Sequence, residues 1–389
     1  MFVAAEPISD MITLSPDEDT TSMYNSVKSH YLRFQDWLSD NKFLKIKWFI
    51  EQEINTWKNW RDLSPRYRLW LWWHGFTSPN GKLYDFDTYG PEAYLSERQR
   101  YELFKNMNGA HRYLLDDKLC CHWMLHDFPE FRPRVYGLAD RGLLRPVTAG
   151  SFDGTPVRLR DWLPTQLKES STLVLKHLRG TGGKQVYLCE YDAGDYFLNG
   201  SRVTVTELCE RANEFENYII TDFVDQHSYA DDLYEGATNT VRIISIWDDE
   251  SKEIVIPAAV QRIGTDRSKP ADNWSSGGLS ANIDIETGEI GRAAQLPSSG
   301  DMNWFKKHPE TGSKIAGKRI PRWEAIKGAI EEIAMCNTNV PAVGWDVILD
   351  ESETPVVIEA NTGTDVNLLQ IHEPLLTDER SRQIISKHL

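Results

Sequence analysis

The chain of 389 residues has few cysteines and no excess of positive charge, and each shortage removes a class of protein. Its five cysteines, Cys120, Cys121, Cys189, Cys209 and Cys336, are odd in number and show no CxxC spacing. A zinc ribbon is excluded and free buried thiols are expected. No apolar run approaches the roughly 18 residues of a membrane helix. Lys and Arg number 43 against 58 Asp and Glu, a formal charge of −15. Such a surface repels a nucleic-acid backbone, so no nucleic-acid partner is expected, and any polyanion must be held by a local positive cluster or a metal. The first basic residue is Lys28; secretory and mitochondrial leader patterns are both missing, and the cytoplasm is the expected compartment. Internal repeats and low-complexity tracts are missing too.

What is present belongs to a soluble globular chain, 40% apolar and 26% charged, long enough for two or three domains. Residues 1 to about 20 are acidic and turn-rich. Tyr24–Trp73 has helical spacing, with Gly75 as a stop after Leu69–His74. Of the 14 tryptophans, Trp48, Trp57, Trp60, Trp70, Trp72 and Trp73 cluster there. Acids and bases alternate around them, so an aromatic core between helices is favoured over a membrane-surface helix. Residues 97–127 read as helix, with Asp116 or Asp117 near a turn. From about 132 the texture changes to short β-branched runs between turns: Thr172–Lys176, Gln185–Cys189, Tyr218–Val224, Asn239–Trp247, Ile254–Gly264, Leu279–Ile285, Val343–Leu349 and Pro355–Ala360. Helices are expected at Val205–Asn213, opened by Thr204 or Thr206, and at Arg322–Cys336. The class is α+β with hairpin-connected strands, not a βαβ alternation.

The segment Leu173–Leu188 is a strand, the turn Gly180-Thr181-Gly182-Gly183-Lys184, and a strand. Glycines let backbone N–H groups approach phosphate oxygens, and Lys176, Arg179 and Lys184 supply positive charge. Leu178 and Gln185 exclude a Walker A loop, Gln185 excludes GxGxxG, and no helix follows the turn. An ordinary hairpin with a flexible tip is the alternative.

A second hairpin, Val343–Leu349 and Pro355–Asn361, carries Asp346, Glu359 and Asn361. Residues two apart in a strand share a face. Pairing Asp350 with Pro355 puts Asp346 opposite Glu359, on the face that also holds Asn361. Adjacent carboxylates repel unless a cation or proton intervenes, and an all-oxygen set of this size suits Mg²⁺, which keeps waters and accepts phosphate oxygens. A solvated polar face is the alternative, disfavoured by the apolar residues around it.

A glycine-rich hairpin followed by Asp…Glu-x-Asn resembles the ATP-grasp superfamily. The words Arg112–Leu119, Gly344–Val347 and Ile358–Thr362 resemble the sugar-transfer-associated ATP-grasp family over about residues 66–370. The resemblance implies an ATP-grasp fold, two α+β subdomains clamping ATP behind a helical, Trp-rich N-terminal region. Its expected parts are 1–100 helical, 101–165 a preceding subdomain, 166–225 the lid with the glycine hairpin, and 226–389 the catalytic part with the Mg²⁺ site. It also implies roles. Lys118 and Lys176 would reach the α- and β-phosphates, and Gly180, Thr181, Gly182, Gly183 and Lys184 would cover the β- and γ-phosphates. Asp222, Phe223 and Val224 would read adenine through the backbone, with Asp225 or His227 near the ribose. Arg242, with Lys184, would act on the γ-phosphate. Asp346, Glu359 and Asn361 would hold Mg²⁺, two ions bridged by Glu359. Arg262 with Ser276, Gly277 and Gly278 could hold the acceptor carboxylate or a phosphate.

That layout implies an ATP-dependent carboxylate–amine ligase working through an acyl-phosphate. Its partners would be ATP, a carboxylate on a small molecule, sugar, glycan or peptide, and an amine. A kinase of similar fold and a non-catalytic nucleotide-binding scaffold are the alternatives; the complete metal set speaks against the scaffold.

Overall fold

Among the described residues the strands form two antiparallel sheets, as hairpin-connected strands predict. The computed structural model describes residue 53 and residues 63–148, 151–152, 154–180, 185–297 and 302–389. By their mutual contacts the residues divide into Met1–Arg61 and Asp62–Leu389, and the second unit holds everything below. Trp48, Trp57, Trp60 and most of the expected N-terminal helix lie outside the described residues.

The first sheet runs, in spatial order, Ser151–Phe152, Leu143–Thr148, Val135–Asp140, Tyr218–Asp222, Thr172–His177, Val186–Asp192, Asp195–Leu198 and Ser201–Val203, with Val157–Arg158 also paired to Leu143–Thr148. The second runs Asn303–Phe305, Ile290–Gln295, Leu279–Ile283, Glu253–Ile263, Val241–Asp248, Ala342–Leu349 and Pro355–Asn361. Strands over 135–158 are absent from the sequence reading, as are Asp195–Leu198, Ser201–Val203, Ile290–Gln295 and Asn303–Phe305.

Two helices follow their start signals closely. Thr204 caps Val205–Ala212 in a capping box with Glu207. Trp323–Cys336 lays Ile326, Ile330 and Ile333 against Val343, Trp345 and Val347 of the second sheet. The helical stretch expected over 97–127 is interrupted at the turn expected near Asp116 or Asp117. Glu97–Asn108 ends before a 3₁₀ turn, and Lys118–Met124 starts afresh where Asp117 caps the Leu119 N–H at 3.0 Å. Pro65–Trp73 starts at a Ser64 cap and stops before Gly75, whose φ of +82° suits glycine. Trp70 packs on Phe86, which also meets Phe76, Tyr84 and Tyr94, an aromatic core, whereas Trp73 is exposed.

Strand parity places the polar residues. Every residue of Ala342–Leu349 is buried. Val343, Trp345, Val347 and Leu349 join the core under the helix, so Gly344, Asp346 and Ile348 face the other way. Arg242 is the register partner of Asp346 on the neighbouring strand and shares that face. Asn108 donates to the Ala342 carbonyl at 2.8 Å and accepts from the Ala342 N–H at 3.0 Å, which docks Glu97–Asn108 at the strand entrance.

Candidate active site

The acidic hairpin brings Asp346 and Glu359 opposite each other, by a route the sequence does not show. The expected Asp350–Pro355 pairing is not formed; Leu349 pairs with Pro355 instead. A register shift between Asp346 and Val347 then leaves Ile358 as an extra residue on the second strand, so that Asp346 still faces Glu359, and Gly344 faces Asn361.

Asp346 is buried and gripped by two arginines. Arg242 donates through Nε to Oδ1 at 2.6 Å and through Nη2 to Oδ2 at 2.8 Å, while Arg262 Nη1 donates to Oδ1 at 3.0 Å. Burial alone would push this carboxyl up, but the two guanidiniums outweigh it and hold it below the usual carboxylate range. Arg242 Nη1 also donates to Thr364 Oγ1 at 2.6 Å. Arg262 reaches the other way too, with Nη2 at 2.5 Å from Asp272 Oδ1. The expected acceptor-binding arginine is thus committed to two carboxylates, and Ser276, Gly277 and Gly278 do not line the cavity described next.

The cavity, of about 350 Å³, is lined by Lys118, Lys176, Gly180, Arg262, Asp346 and Glu359 on its polar side. Its apolar side is Val174, Val186, Leu188, Phe223, Val224 and Ile348. Both sheets contribute, so a flat apolar ligand part and a charged one can be held in a single volume. Lys118 Nζ donates to the Gly180 carbonyl at 2.8 Å and to Glu359 Oε1 at 3.2 Å. Its backbone N–H donates to the Leu178 carbonyl, so one residue ties the root of the glycine hairpin to the acidic pair. Burial pushes the Lys176 ammonium down, against the pull of Glu359. Thr181, Gly182, Gly183 and Lys184 lie outside the described residues.

Asp222 lines the cavity as well, with Oδ1 accepting from the Tyr136 hydroxyl at 2.7 Å, and Phe223 and Val224 follow the end of its strand. His227 does not line it. Its Nδ1 accepts from the Tyr229 N–H at 3.1 Å, capping a short turn of helix. Asp225 likewise stays outside, exposed, its carbonyl accepting from the Glu351 N–H. Asn361 and Arg242 adjoin the carboxylates without lining the cavity.

Three residues escape the sequence reading. Asp272 lines the cavity and is buried, with Oδ2 accepting from the Thr240 N–H at 2.7 Å and the Thr240 hydroxyl at 2.6 Å. Thr240 and Thr364 are its counterparts on neighbouring loops and strand ends. Thr240 lies in the expected strand Asn239–Trp247 and the other two in no periodic pattern, and only the closed fold brings the three to the site.

Among the described residues no three His, Cys, Asp or Glu side chains converge as a metal cluster. Two carboxylates with one amide nonetheless suit a divalent cation that keeps its waters. A carboxylate has about four lone-pair sites; Asp346 uses three and Glu359 one. Their partners among the described residues are cationic side chains, which compete with a metal ion, so a divalent cation would enter through the open oxygens, most of them on Glu359.

Two sheet-bearing subdomains with a shared, nucleotide-sized cavity place the chain in the ATP-grasp class. A family model described as sugar-transfer associated ATP-grasp matches residues 96–384, and the chain belongs to that family. No curated protein sequence matches it significantly. Solved structures match it in part, at low identity. N5-carboxyaminoimidazole synthase from Aspergillus clavatus, in complex with ADP and 5-aminoimidazole ribonucleotide, is 11% identical over 64% of this chain and 44% of that one, with a TM-score of 0.32. Biotin carboxylase from Campylobacter jejuni in its β,γ-ATP complex is 12% identical over 71% and 46%, with a TM-score of 0.38. A RiPP-associated ATP-grasp ligase from Chryseobacterium gregarium, in complex with ADP and a leader and core peptide, is 12% identical over 74% and 66%, with a TM-score of 0.35. The chain spans less than half the length of the first two. Among the described residues no helix is long and apolar enough to cross a membrane.

Proposed function

We propose that this protein is an ATP-dependent carboxylate–amine ligase that forms an amide through an acyl-phosphate. The observation that carries the reading is the cross-strand pair Asp346–Glu359 on the wall of a cavity that also presents Lys118, Lys176 and Arg262. ATP would lie with adenine against Val174, Leu188, Phe223 and Val224, and its phosphates toward the two lysines. Bound Mg²⁺, held through Asp346, Glu359 and Asn361, would neutralise charge on the β- and γ-phosphates.

The acceptor carboxylate oxygen attacks the γ-phosphorus in line, the bond to the β-phosphate oxygen breaks, and ADP leaves. Lys118 and Lys176 hold the phosphates in place, and Arg242, one hydrogen bond from the acidic pair, offsets the charge that develops on the transferred group. The amine then attacks the acyl carbon, phosphate leaves, and the amine loses a proton to give the amide. The lid that the resemblance implies would exclude the water that hydrolyses an acyl-phosphate. The family description favours a carboxylated sugar, glycan or peptide as acceptor, and the cysteine pattern favours a cytoplasmic setting.

The test is hydroxylamine trapping with ATP, Mg²⁺ and pools of carboxylates, read by mass spectrometry. A ligase gives hydroxamate with ADP and phosphate. ADP with a stable phosphoester would instead make it a kinase, and no turnover in any pool would make it a scaffold.

A further inference from the structure

Arg262 is stretched between two buried carboxylates. Nη2 lies 2.5 Å from Asp272 Oδ1, and Nη1 donates to Asp346 Oδ1 at 3.0 Å. Asp272 is itself immobilised, because its other oxygen accepts from both the N–H and the hydroxyl of Thr240. Arg242, Arg262, Asp272 and Asp346 are all buried or nearly so, and their formal charges cancel. Asp272 belongs to none of the phosphate, adenine or metal roles above, yet it lines the same cavity.

We propose that Asp272 is a positioning residue that sets the divalent-cation affinity of Asp346 by restraining Arg262. This rests on the reading of Asp346 as a cation ligand. A guanidinium offers five donors in a planar fork and takes a carboxylate two-pronged when free to do so. Held by Asp272, Arg262 spends one prong there and gives Asp346 only the other. Without the 272 carboxylate, Arg262 turns fully onto Asp346, fills the lone pair a cation needs, and brings an uncompensated positive charge beside it. Both effects oppose a divalent cation. Neither opposes the anionic nucleotide, which the extra positive charge attracts. The signature is therefore a split: metal binding weakens and metal-free nucleotide binding does not.

The experiment uses the full chain and two probes. Mn²⁺ affinity in the presence of ADP is read from the electron paramagnetic resonance signal of free Mn²⁺, and ADP affinity in EDTA is read by calorimetry. Asp272→Asn, which keeps the shape and can still accept from Thr240, is expected to weaken Mn²⁺ binding about 10- to 100-fold and to leave metal-free ADP binding equal or tighter. In an Arg262→Gln background the same change should have less than about a twofold effect, since its route is gone. Thr240→Val, which removes one contact to Asp272, should weaken Mn²⁺ binding in the same direction by less, and serves if Asp272→Asn does not fold. Equal weakening of both probes, or an undiminished effect without Arg262, would overturn the inference and leave Asp272 a structural residue. Absence of Mn–ADP binding in the unaltered chain would overturn the cation-site reading and this inference with it.

Discussion

Arg242 and Asp346 face each other across adjacent strands, and the guanidinium takes both carboxylate oxygens, at 2.6 and 2.8 Å. Breaking a buried pair leaves the surviving charge without water or partner, which costs about 3–5 kcal/mol. The two single changes differ in what they orphan. Asp346→Asn leaves the buried Arg242 with an amide oxygen and Thr364 but no carboxylate, whereas Arg242→Gln leaves Asp346 with Arg262. Asp346→Asn is expected to cost the larger amount, in that range, and Arg242→Gln distinctly less. The double change Arg242→Met/Asp346→Leu should recover much of the loss, because Arg262 keeps Asp272. All three should lose ATP turnover. Urea unfolding measures the order; equal midpoints for the two single variants would show that Arg262 gives Asp346 no support.

Glu359 separates chemistry from stability. Its side chain is 34% exposed and its one ion-pair partner among the described residues is Lys118, so the pair adds little to the fold. Glu359→Gln keeps an acceptor for Lys118 and removes the charge. Turnover of ATP is expected to fall at least about 100-fold, the scale for losing one electrostatic group at a reacting phosphate, with stability changed by less than about 1 kcal/mol. Asn361→Ala should weaken Mg-ATP use by less. Phosphate release with a parallel urea melt checks both, and full activity in Glu359→Gln would place the chemistry elsewhere.

The acidic hairpin was legible because strand parity needs only alternate residues and a short connection. The expected turn was nevertheless wrong, and the extra residue Ile358 restored the facing of Asp346 and Glu359; a bulge leaves no mark in an apolar run. The helix Leu159–Ser170 was missed although Leu159, Leu163 and Leu167 are buried at steps of four, because Pro164 sits inside it and reads as a break. The resemblance puts Asp225 or His227 near the ribose, whereas the His227 ring caps a turn outside the cavity. Asp272 could not be found in advance. A loop carboxylate becomes part of a site only when Thr240 and Arg262, distant in sequence, close on it.

Gly344 offers a test of how tightly the Arg242 side is packed. It shares a face with Asp346, and a Cβ there would come within 2.5 Å of the Thr364 Cβ and Oγ1. Thr364 Oγ1 is the third acceptor of Arg242. Gly344→Ala should displace Thr364, loosen Arg242 and cost about 1–3 kcal/mol by overpacking. Turnover should fall about tenfold, near the loss expected for one hydrogen bond to a charged group. Thr364→Ala removes the same hydrogen bond directly. If the two act through one contact, the double variant loses little more turnover than Gly344→Ala alone. Additive losses in steady-state kinetics would mean that Gly344 matters for another reason.

His372 gives the fold a pH dependence remote from the acidic pair. It follows the helical turn Asn367–Gln370, and its Nε2 lies 3.3 Å from Ser280 Oγ, which itself donates to the Leu368 carbonyl at 2.7 Å. Burial pushes the imidazole down to about 3 from its ordinary 6.5, against the pull of the Ser280 contact, and Arg292 adds to the depression. The folded chain therefore binds fewer protons at this ring than the unfolded chain does. Above pH 6.5 both states hold it neutral and it costs nothing; as pH falls from 6.5 toward 3 the unfolded state alone takes the proton, and stability declines throughout that window. In His372→Gln this contribution is gone. Chemical unfolding at a series of pH values between 6.5 and 5 should then show a shallower loss of stability than in the unaltered chain, whatever the offset between the two curves. Parallel curves would mean that the ring takes up its proton in the folded state as readily as in the unfolded one.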